Sequence, residues 1–351
     1  MEQPQINVEG VDVANVTAWF QDHVVDVVPP LHFDLIAGGR SNLTFKVTDP
    51  ASAANDRAWV LRRPPLGQVL ATAHDMTREH TIISALGPTD VPVAPAVGLC
   101  TDQSVNGAPF YVMDYVDGHV LRDIPTAEAF SEKVRTQASQ SIVDVLARIH
   151  AVDPDAVGLG GLGRKEGYIA RQLKRWYGQW ESSKTRELAD VDEVYQGLLA
   201  NMPEQGPATI VHGDYRLDNC MIDDDGQVVA VLDWEICTLG DPMADLGLLL
   251  VYWGQSSDSV RALPGAATTL PGFASRAEVL AGYAHATGRD VGAIDFYMAF
   301  GYWKLACILE GVYARYVGGS MGTTDTDFQG FADTVTSLAA AARDALDRLA
   351  T

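Results

Sequence analysis

The sequence predicts an α+β protein with two lobes, a small one rich in strands and a large one that is mainly helical. Between residues 32 and 115, five short apolar segments are separated by turn residues, and a long helical segment follows the third of them. From residue 118 onward, apolar residues recur mostly at the spacing of amphipathic helices. The change in pattern places the boundary between the lobes near residue 117.

The small lobe is assigned in chain order from its apolar segments and turns. A helix is predicted over residues 11–24, where Val13, Val16 and Phe20 have helical spacing, and Pro29-Pro30 ends it. A second helix is predicted at Ala71–Leu86. The five strands are predicted at His32–Ala37, Leu43–Thr48, Ala58–Arg62, Ala96–Cys100 and Phe110–Tyr115.

The large lobe is predicted to contain two short strands among its helices. The strands are Thr209–His212 and Val228–Asp233. The helices are Ala129–Ala151, Tyr168–Ser182, Val191–Ala200, Asp241–Tyr252, Arg276–Ala286, Ile294–Tyr316 and Phe331–Leu349. We therefore predict an N-terminal helical extension at residues 1–31, a small lobe at 32–116 and a large lobe at 117–351.

The composition is that of a globular protein with a large core, since 47% of its 351 residues are hydrophobic and 20% are charged. A formal net charge of −21 argues against nucleic acid and anionic membranes as partners, because both require basic surfaces. No apolar run approaches the roughly 20 residues of a transmembrane helix, and the first residues lack the basic and apolar regions of a secretory signal. The four cysteines lack metal-binding spacing, so reduced thiols and a cytoplasmic location are predicted.

Three acidic or amide side chains follow two of the predicted strands. Asp214 and Asn219 come after the first strand, and Asp233 ends the second. In enzymes that bind metal-bound ATP, an Asp in the first position receives the proton of the attacking hydroxyl, and the Asn and second Asp hold Mg²⁺. Asp and Asn are also common in turns, but turns alone do not explain this order and spacing. We predict that Asp214 is catalytic and that Asn219 and Asp233 bind metal.

The residues around these positions resemble one particular family. Residues 212–214 are His-Gly-Asp where protein kinases have His-Arg-Asp, and residues 233–235 are Asp-Trp-Glu where they have Asp-Phe-Gly. Both differences resemble the aminoglycoside phosphotransferase and choline kinase family, over about residues 32–320. The resemblance implies a two-lobed protein-kinase-like fold with a five-stranded antiparallel sheet in its small lobe. It also implies ATP and Mg²⁺ as cofactors and a small-molecule hydroxyl as the acceptor.

Two further residues are expected to support the catalytic loop. His212 is expected to hold the loop by hydrogen bonding, since a lone His at a strand end is usually structural. Asp245 follows Gly240-Asp241-Pro242 and resembles the family's buried carboxylate that fixes the loop backbone.

The resemblance also assigns residues to the nucleotide phosphates. Gly38, Gly39, Ser41 and Asn42 lie where the family has its phosphate-covering loop, although two glycines between strands also form ordinary hairpin turns. For the adenine, the hinge strand would supply the backbone of Asp114 and Val116, beneath Met113.

The third strand departs from the usual kinase pattern. Arg62 takes the position of the usual Lys, which pairs ATP phosphates with a helix Glu, and Glu79 is its expected partner. Alternation along the strand then turns Arg63 to the other face. Arg62 with Pro64-Pro65 resembles the branch of kinase domains fused to acyl-CoA dehydrogenases. Alternatively, Glu79 is simply a polar position on a helix.

The acceptor is the least determined part of the prediction. The fused branch favours a hydroxy acid or hydroxyacyl thioester, whereas the acidic charge weakly favours a cationic acceptor such as an aminoglycoside. Because the usual Lys is missing, a catalytically weak nucleotide-binding pseudokinase is the alternative function. Aromatic residues at helical spacing are more often core residues than pocket residues. The candidates for an aromatic-lined pocket are Tyr168, Arg171, Trp176, Tyr177, Tyr252, Trp253, Tyr302, Trp303, Glu310 and Tyr313.

Overall fold

The computed structural model describes residues 8–37, 42–50, 57–66, 75–256, 258, 263, 266–318 and 328–350. The chain forms two compact units. The first comprises Met1–Asp117 and Val229–Glu235, and the second comprises Gly118–Val228 and Ile236–Thr351. Residues 229–235, which the sequence-based division places in the large lobe, belong to the first unit.

The first unit is built around a five-stranded antiparallel sheet with the strand order β1-β2-β3-β5-β4. Its elements are α1 (Val13–His23), β1 (His32–Ala37), β2 (Leu43–Thr48), β3 (Ala58–Arg63), α2 (Met76–Leu86), β4 (Ala96–Cys100), α3 (Gln103–Asn106) and β5 (Phe110–Asp114). The five predicted strands are confirmed, with ends that differ by at most one residue. The predicted start of α2, at residues 71–74, lies outside the described residues.

Helix α1 belongs to the core of the first unit. Asp12 caps it by accepting a hydrogen bond from the backbone of Asn15. The fully buried ring of Phe20 packs edge-on against Phe33 and Trp59, with centroid distances of 6.5 and 5.6 Å. The helix that the sequence analysis treated as a separate extension therefore stabilises the sheet.

The second unit is mainly helical. The elements that follow Asp117 are, in chain order, β6 (His119–Val120), α4 (Ile124–Glu128), α5 (Glu132–Ala151), α6 (Tyr168–Ser183), α7 (Ala189–Ala200), β7 (Thr209–Val211), β8 (Cys220–Ile222), β9 (Val228–Val231), β10 (Thr238–Gly240), α8 (Met243–Tyr252), α9 (Arg276–Thr287), α10 (Ile294–Val317) and α11 (Phe328–Asp347). Strand β9 begins in the second unit, and from Val229 onward it belongs to the first. Strand β7 pairs antiparallel with β10, and β6 pairs antiparallel with β8. Helix α10 packs against α6, α7, α8 and α11, so it forms the centre of the unit.

Two of the predicted strands end earlier than expected because the backbone turns. Strand β7 ends at Val211, and Gly213 follows with φ +87°. Strand β9 ends at Val231, and Asp233 follows with φ +62°. Both values lie in the left-handed region, which cannot continue a strand. Across the described ranges, none of the helices has the length and apolar character needed to cross a membrane.

Candidate active site

The loop after β7 is held by a buried carboxylate of the second unit. Asp245, on α8, is only 1% exposed. Its Oδ2 accepts a hydrogen bond from the backbone N–H of His212 at 2.7 Å, and its Oδ1 accepts one from Gly213 at 2.8 Å. The turn at Gly213 suits glycine because its φ is positive and an added Cβ would lie 3.1 Å from Ile236. Asp245 therefore fixes the peptide before His212 and the peptide before Gly213, at the start of the turn that carries Asp214.

Asp245 is itself supported by a histidine that the sequence analysis did not single out. Nε2 of His150, on α5, lies 3.3 Å from Asp245 Oδ2, and its Nδ1 lies 2.7 Å from the hydroxyl of Tyr283. Burial lowers the pKa of His150, which favours its neutral form. Burial alone would raise the pKa of Asp245, but the contact with His150 and the backbone donors lower it. The anchor of the loop is thus an ionised carboxylate.

Asp214 and Asn219 are in direct contact. The Nδ2 of Asn219 donates to the backbone oxygen of Asp214 at 2.8 Å and to its Oδ2 at 3.0 Å. The backbone N–H of Asp214 donates to Nδ1 of His212 at 3.3 Å. The side chain of Asp214 remains 28% exposed, and Nε of Arg216 lies 3.4 Å from its Oδ2. The side-chain nitrogen of Asn219 thus makes both hydrogen bonds to Asp214, and the side-chain oxygen of Asn219 takes part in neither of them.

In the first unit, Arg62 contacts the carboxylates of two other elements. Its Nε lies 3.1 Å from Glu79 Oε2, on α2, and its Nη2 lies 2.6 Å from Asp233 Oδ1. Burial alone would lower the pKa of Arg62, but Tyr111, Glu79 and Asp233 raise it, so the guanidinium stays charged. Burial raises the pKa of Glu79. Arg62 and the hydroxyl of Tyr111, which donates to Glu79 at 2.8 Å, lower this pKa but do not offset the effect of burial.

Arg63 faces the opposite side of the strand from Arg62. Its guanidinium donates to the backbone carbonyls of Gly10, Asn106 and Pro64. Arg63 is only 7% exposed, so it joins the strand to the segments around α1 and α3. The contacts of Arg63 are therefore structural. Of the two arginines on this strand, Arg62 is the one that contacts Glu79, the partner expected from the sequence.

Three carboxylates of the first unit come close enough to share a cation. Oxygen atoms of Glu79, Asp233 and Glu235 all lie within 4.8 Å of one another. Oxygen donors of this kind suit a hard divalent ion such as Mg²⁺. Asp233 adopts φ +62°, a backbone conformation that is uncommon outside glycine and that often occurs at functional sites. The sequence analysis did not single out Glu235 as a ligand.

The structure describes only part of the predicted nucleotide-binding set. Gly38, Gly39 and Ser41 lie outside the described residues. Asn42 is buried, and its Nδ2 donates to Glu79 Oε1 at 3.1 Å and to Glu235 Oε2 at 3.4 Å. These contacts join the start of β2 to α2 and to the segment after β9.

The predicted hinge lies at the end of β5. Met113 is half-buried and pairs with Val60 across the sheet. The backbone N–H of Asp114 donates to the carbonyl of Pro95 at 2.9 Å. Val116 follows the strand and is half-buried.

Several of the candidate pocket residues lie in the core or join helices, which is the alternative that the sequence favoured for them. Trp303 is fully buried and donates to the backbone of Val191, and Glu310 is fully buried and accepts from the backbone and hydroxyl of Thr185. Tyr177 stacks on Tyr195 with a centroid distance of 3.9 Å. These side chains fill the interior or join helices, because helical spacing brings aromatics onto buried faces as readily as onto a binding surface.

Tyr252 and Trp253 are the two members of that set that line a cavity, of about 150 Å³, next to the catalytic loop. The guanidinium of Arg216 lies 4.7 Å from the ring centroid of Tyr252. The cavity is lined by two arginines, one aspartate, one threonine and otherwise apolar side chains: Leu121, Arg122, Arg216, Leu217, Asp218, Leu249, Tyr252, Trp253, Leu263, Ala266, Ala267 and Thr268.

Comparison with known proteins agrees with this architecture. The sheet of the first unit and the mainly helical second unit make up an α+β kinase-like fold, which confirms the predicted fold class. A model of the phosphotransferase enzyme family matches residues 32–299. The chain belongs to the phosphotransferase enzyme family.

The most similar relatives include two acyl-CoA dehydrogenase family members. Member 10 from Mus musculus is 35% identical, and the match covers 83% of this chain and 27% of the relative. Member 11 from Homo sapiens is 31% identical, and the match covers 82% of this chain and 37% of the relative. The chain thus spans well under half the length of either relative. A crystal structure from Ralstonia eutropha, provisionally named an aminoglycoside phosphotransferase, is 33% identical, with a TM-score of 0.81 over 96% of this chain and 98% of that chain.

Proposed function

We propose that the protein transfers the γ-phosphate of ATP, with Mg²⁺, to a hydroxyl group of a small molecule. The observation that supports this most strongly is the contact between Asp214 and Asn219 on a turn that Asp245 fixes. Phosphoryl transfer depends on positioning and charge neutralisation rather than on covalent chemistry by the protein. A nucleotide-binding pseudokinase would have no need for a fixed and partly exposed carboxylate at this position.

Each predicted site residue has a role in this proposal. Asp214 orients the acceptor hydroxyl and accepts its proton, while Asn219 and Asp233 would hold Mg²⁺ through oxygen atoms. When bound, the metal neutralises phosphate charge. Arg62, oriented by Glu79, would bind the phosphates.

Backbone groups complete the proposed nucleotide site. The turn at residues 38–42 would cover the phosphates, and Asp114 and Val116 would pair with the adenine beneath Met113. We assign the nucleotide to the first unit, residues 1–117 and 229–235, and the catalytic loop and the acceptor to the second unit, residues 118–228 and 236–351.

For the acceptor, we propose a hydroxy acid or a hydroxyacyl thioester rather than an aminoglycoside. The cavity beside the loop has Arg122 and Arg216 but only one carboxylate, Asp218, in its lining. Arg216 pairs with Asp218 at 3.0 Å, and Arg122 adds a further positive charge. An anionic acceptor with an aliphatic part therefore suits the charge and the apolar wall better than a polycationic one. The similarity to two acyl-CoA dehydrogenase family members supports the same choice.

We also propose that the reaction takes place in the cytoplasm. All four cysteines lie in the described part of the chain, all are buried, and none forms a disulfide. Reduced cysteines are typical of the cytosol.

The proposed reaction is tested by measuring ADP release with ATP and Mg²⁺ against two sets of acceptors. One set contains hydroxy acids and hydroxyacyl thioesters, and the other contains aminoglycosides. We expect turnover with the first set, and Arg122→Ala should raise its KM. Turnover with aminoglycosides alone would overturn the proposed acceptor but not the reaction, whereas no ADP release with either set would count against both.

Arg62→Ala is expected to weaken ATP binding about 10-fold or more, because a charge-assisted hydrogen bond contributes about 1.5–3 kcal/mol. Arg62→Lys should retain part of the affinity, since it keeps the charge but not the planar fork. The matched control is Arg63→Ala. It should leave ATP affinity nearly unchanged and lower the free energy of unfolding by about 1–3 kcal/mol, because three backbone carbonyls lose their donor. Calorimetry and urea unfolding separate the two effects, and the reverse pattern would contradict the assignment of Arg62.

Asp233→Ala is expected to abolish most of the Mg²⁺-dependent part of ATP binding. Removal of a charged oxygen donor leaves the divalent charge poorly neutralised. Titration of ATP with and without Mg²⁺ measures this part directly, and Asp34→Ala, an exposed acidic position on β1, is the control. Equal Mg²⁺ dependence in the parent and in Asp233→Ala would rule out a metal role for Asp233.

A further inference from the structure

A buried lysine contacts the turn that carries Asp214. Lys304 lies on α10, far from the loop in sequence, and is 8% exposed. Its Nζ donates to the backbone oxygen of Gly213 at 3.1 Å. Its ammonium also lies 5.9 Å from the ring centroid of Trp176. Neither the sequence motifs nor the proposed mechanism assigns a role to this side chain.

Burial at this position is unfavourable for a lysine because its ammonium group loses hydration, so a functional reason for the lysine is expected. An ammonium in the interior loses its hydration, and burial accordingly lowers the pKa of Lys304. Among the described residues it has no carboxylate within ion-pair distance, and its acceptor is a neutral carbonyl. The negative charges of Asp214 and Asp245 raise the pKa of Lys304 and so partly offset the effect of burial. A methionine of similar length would fill the same space without desolvating a charge.

The contact of Lys304 completes the fixation of the turn. Gly213 has φ +87°, and its N–H is bound by Asp245 Oδ1 at 2.8 Å. Its carbonyl, which belongs to the peptide that leads into Asp214, is bound by Lys304. Asp245 therefore fixes the peptides before Gly213, and Lys304 fixes the peptide after it.

We propose that Lys304 is a positioning residue for phosphoryl transfer, which orients the carboxylate of Asp214 by anchoring the Gly213–Asp214 peptide. This inference rests on the proposed function, because it takes Asp214 as the group that meets the acceptor. The role differs from that of Asp245. Asp245 holds the loop in the fold, whereas Lys304 sets the direction of one carboxylate and adds a positive charge near it.

The test compares Lys304→Met with the parent, with Lys304→Gln as a second variant in case the first does not fold. The control is Lys165→Met, which removes a surface ion pair with Asp155. The activity is the slow hydrolysis of Mg-ATP in the absence of any acceptor, measured as release of inorganic phosphate. We expect Lys304→Met to lower kcat about 10-fold or more with KM for ATP unchanged, since orientation at the reacting centre affects kcat.

A double variant separates positioning from a general structural role. In an Asp214→Asn background, Lys304→Met should have little further effect on kcat, because the carboxylate that it orients is already absent. A loss of the same size in both backgrounds, or a rise in KM for ATP with kcat unchanged, would overturn the proposal.

Hydrogen exchange gives a readout that does not depend on activity. Lys304→Met should speed exchange of the amides of Gly213 and Asp214 at least several-fold, while the interior of α10 remains protected. If the parent does not hydrolyse ATP without an acceptor, kcat is compared with the acceptor that gives ADP release, and the exchange result decides independently whether Lys304 anchors the turn. Unchanged exchange at both amides would overturn the anchoring itself.

Discussion

Asp214→Asn is expected to lower kcat by about 100-fold or more, while the affinity for Mg-ATP stays close to that of the parent. A positioned acid–base group contributes about 10²–10⁴ in rate. The Asn side chain keeps the volume and part of the hydrogen bonding with Asn219, but it cannot take the proton of the acceptor hydroxyl. The loss should therefore appear in kcat and not in nucleotide binding.

Steady-state kinetics with calorimetry of ATP binding checks this prediction. Asp225→Asn is the matched control, because this exposed aspartate lies in the turn after β8 and should leave kcat within about 2-fold. An unchanged kcat in Asp214→Asn would remove Asp214 from the mechanism. A large loss of ATP affinity would instead indicate that Asp214 acts on the nucleotide.

Asp245→Ala is expected to be the most destabilising of the substitutions considered. Two buried backbone N–H groups, of His212 and Gly213, and the ring of His150 lose their acceptor. An unsatisfied buried donor costs about 1–3 kcal/mol, so we expect a loss of about 3–5 kcal/mol in the free energy of unfolding. Activity should fall with it, because the turn that carries Asp214 is no longer fixed.

Urea unfolding monitored by circular dichroism measures this loss. Asp245→Asn should be intermediate, since its amide oxygen replaces one of the two carboxylate acceptors. The control is Asp295→Ala, which breaks a partly exposed ion pair with Arg348 and should cost about 0–1 kcal/mol. A stability loss for Asp245→Ala no larger than that of the control would mean that the loop is fixed by other contacts.

The parts of the site that could be predicted from sequence depend on short-range geometry. The contact between Asp214 and Asn219 joins residues five positions apart on one loop. The opposite directions of Arg62 and Arg63 follow from the alternation of a single strand. In both cases the local conformation already decides which side chains are neighbours.

The parts that could not be predicted depend on tertiary contacts. His150 reaches Asp245 across 95 positions, and Lys304 reaches Gly213 across 91. In sequence, both are ordinary polar residues within helices, and only the packing of α5 and α10 reveals their partners. The same limit applies to Trp303 and Glu310, because their helical spacing alone did not decide between a pocket and the core.

The return of residues 229–235 to the first unit has a practical consequence for dissecting the protein. The chain enters or leaves that unit at three places, after residues 117, 228 and 235. A fragment that ends at Asp117 would therefore lack Asp233 and Glu235 and would leave Arg62 with only Glu79 of its three carboxylate partners. Expression of the first unit alone requires a short artificial linker that joins residue 117 to residue 229. Deletion series that cut at a single boundary would report misfolding where they were meant to report loss of nucleotide binding.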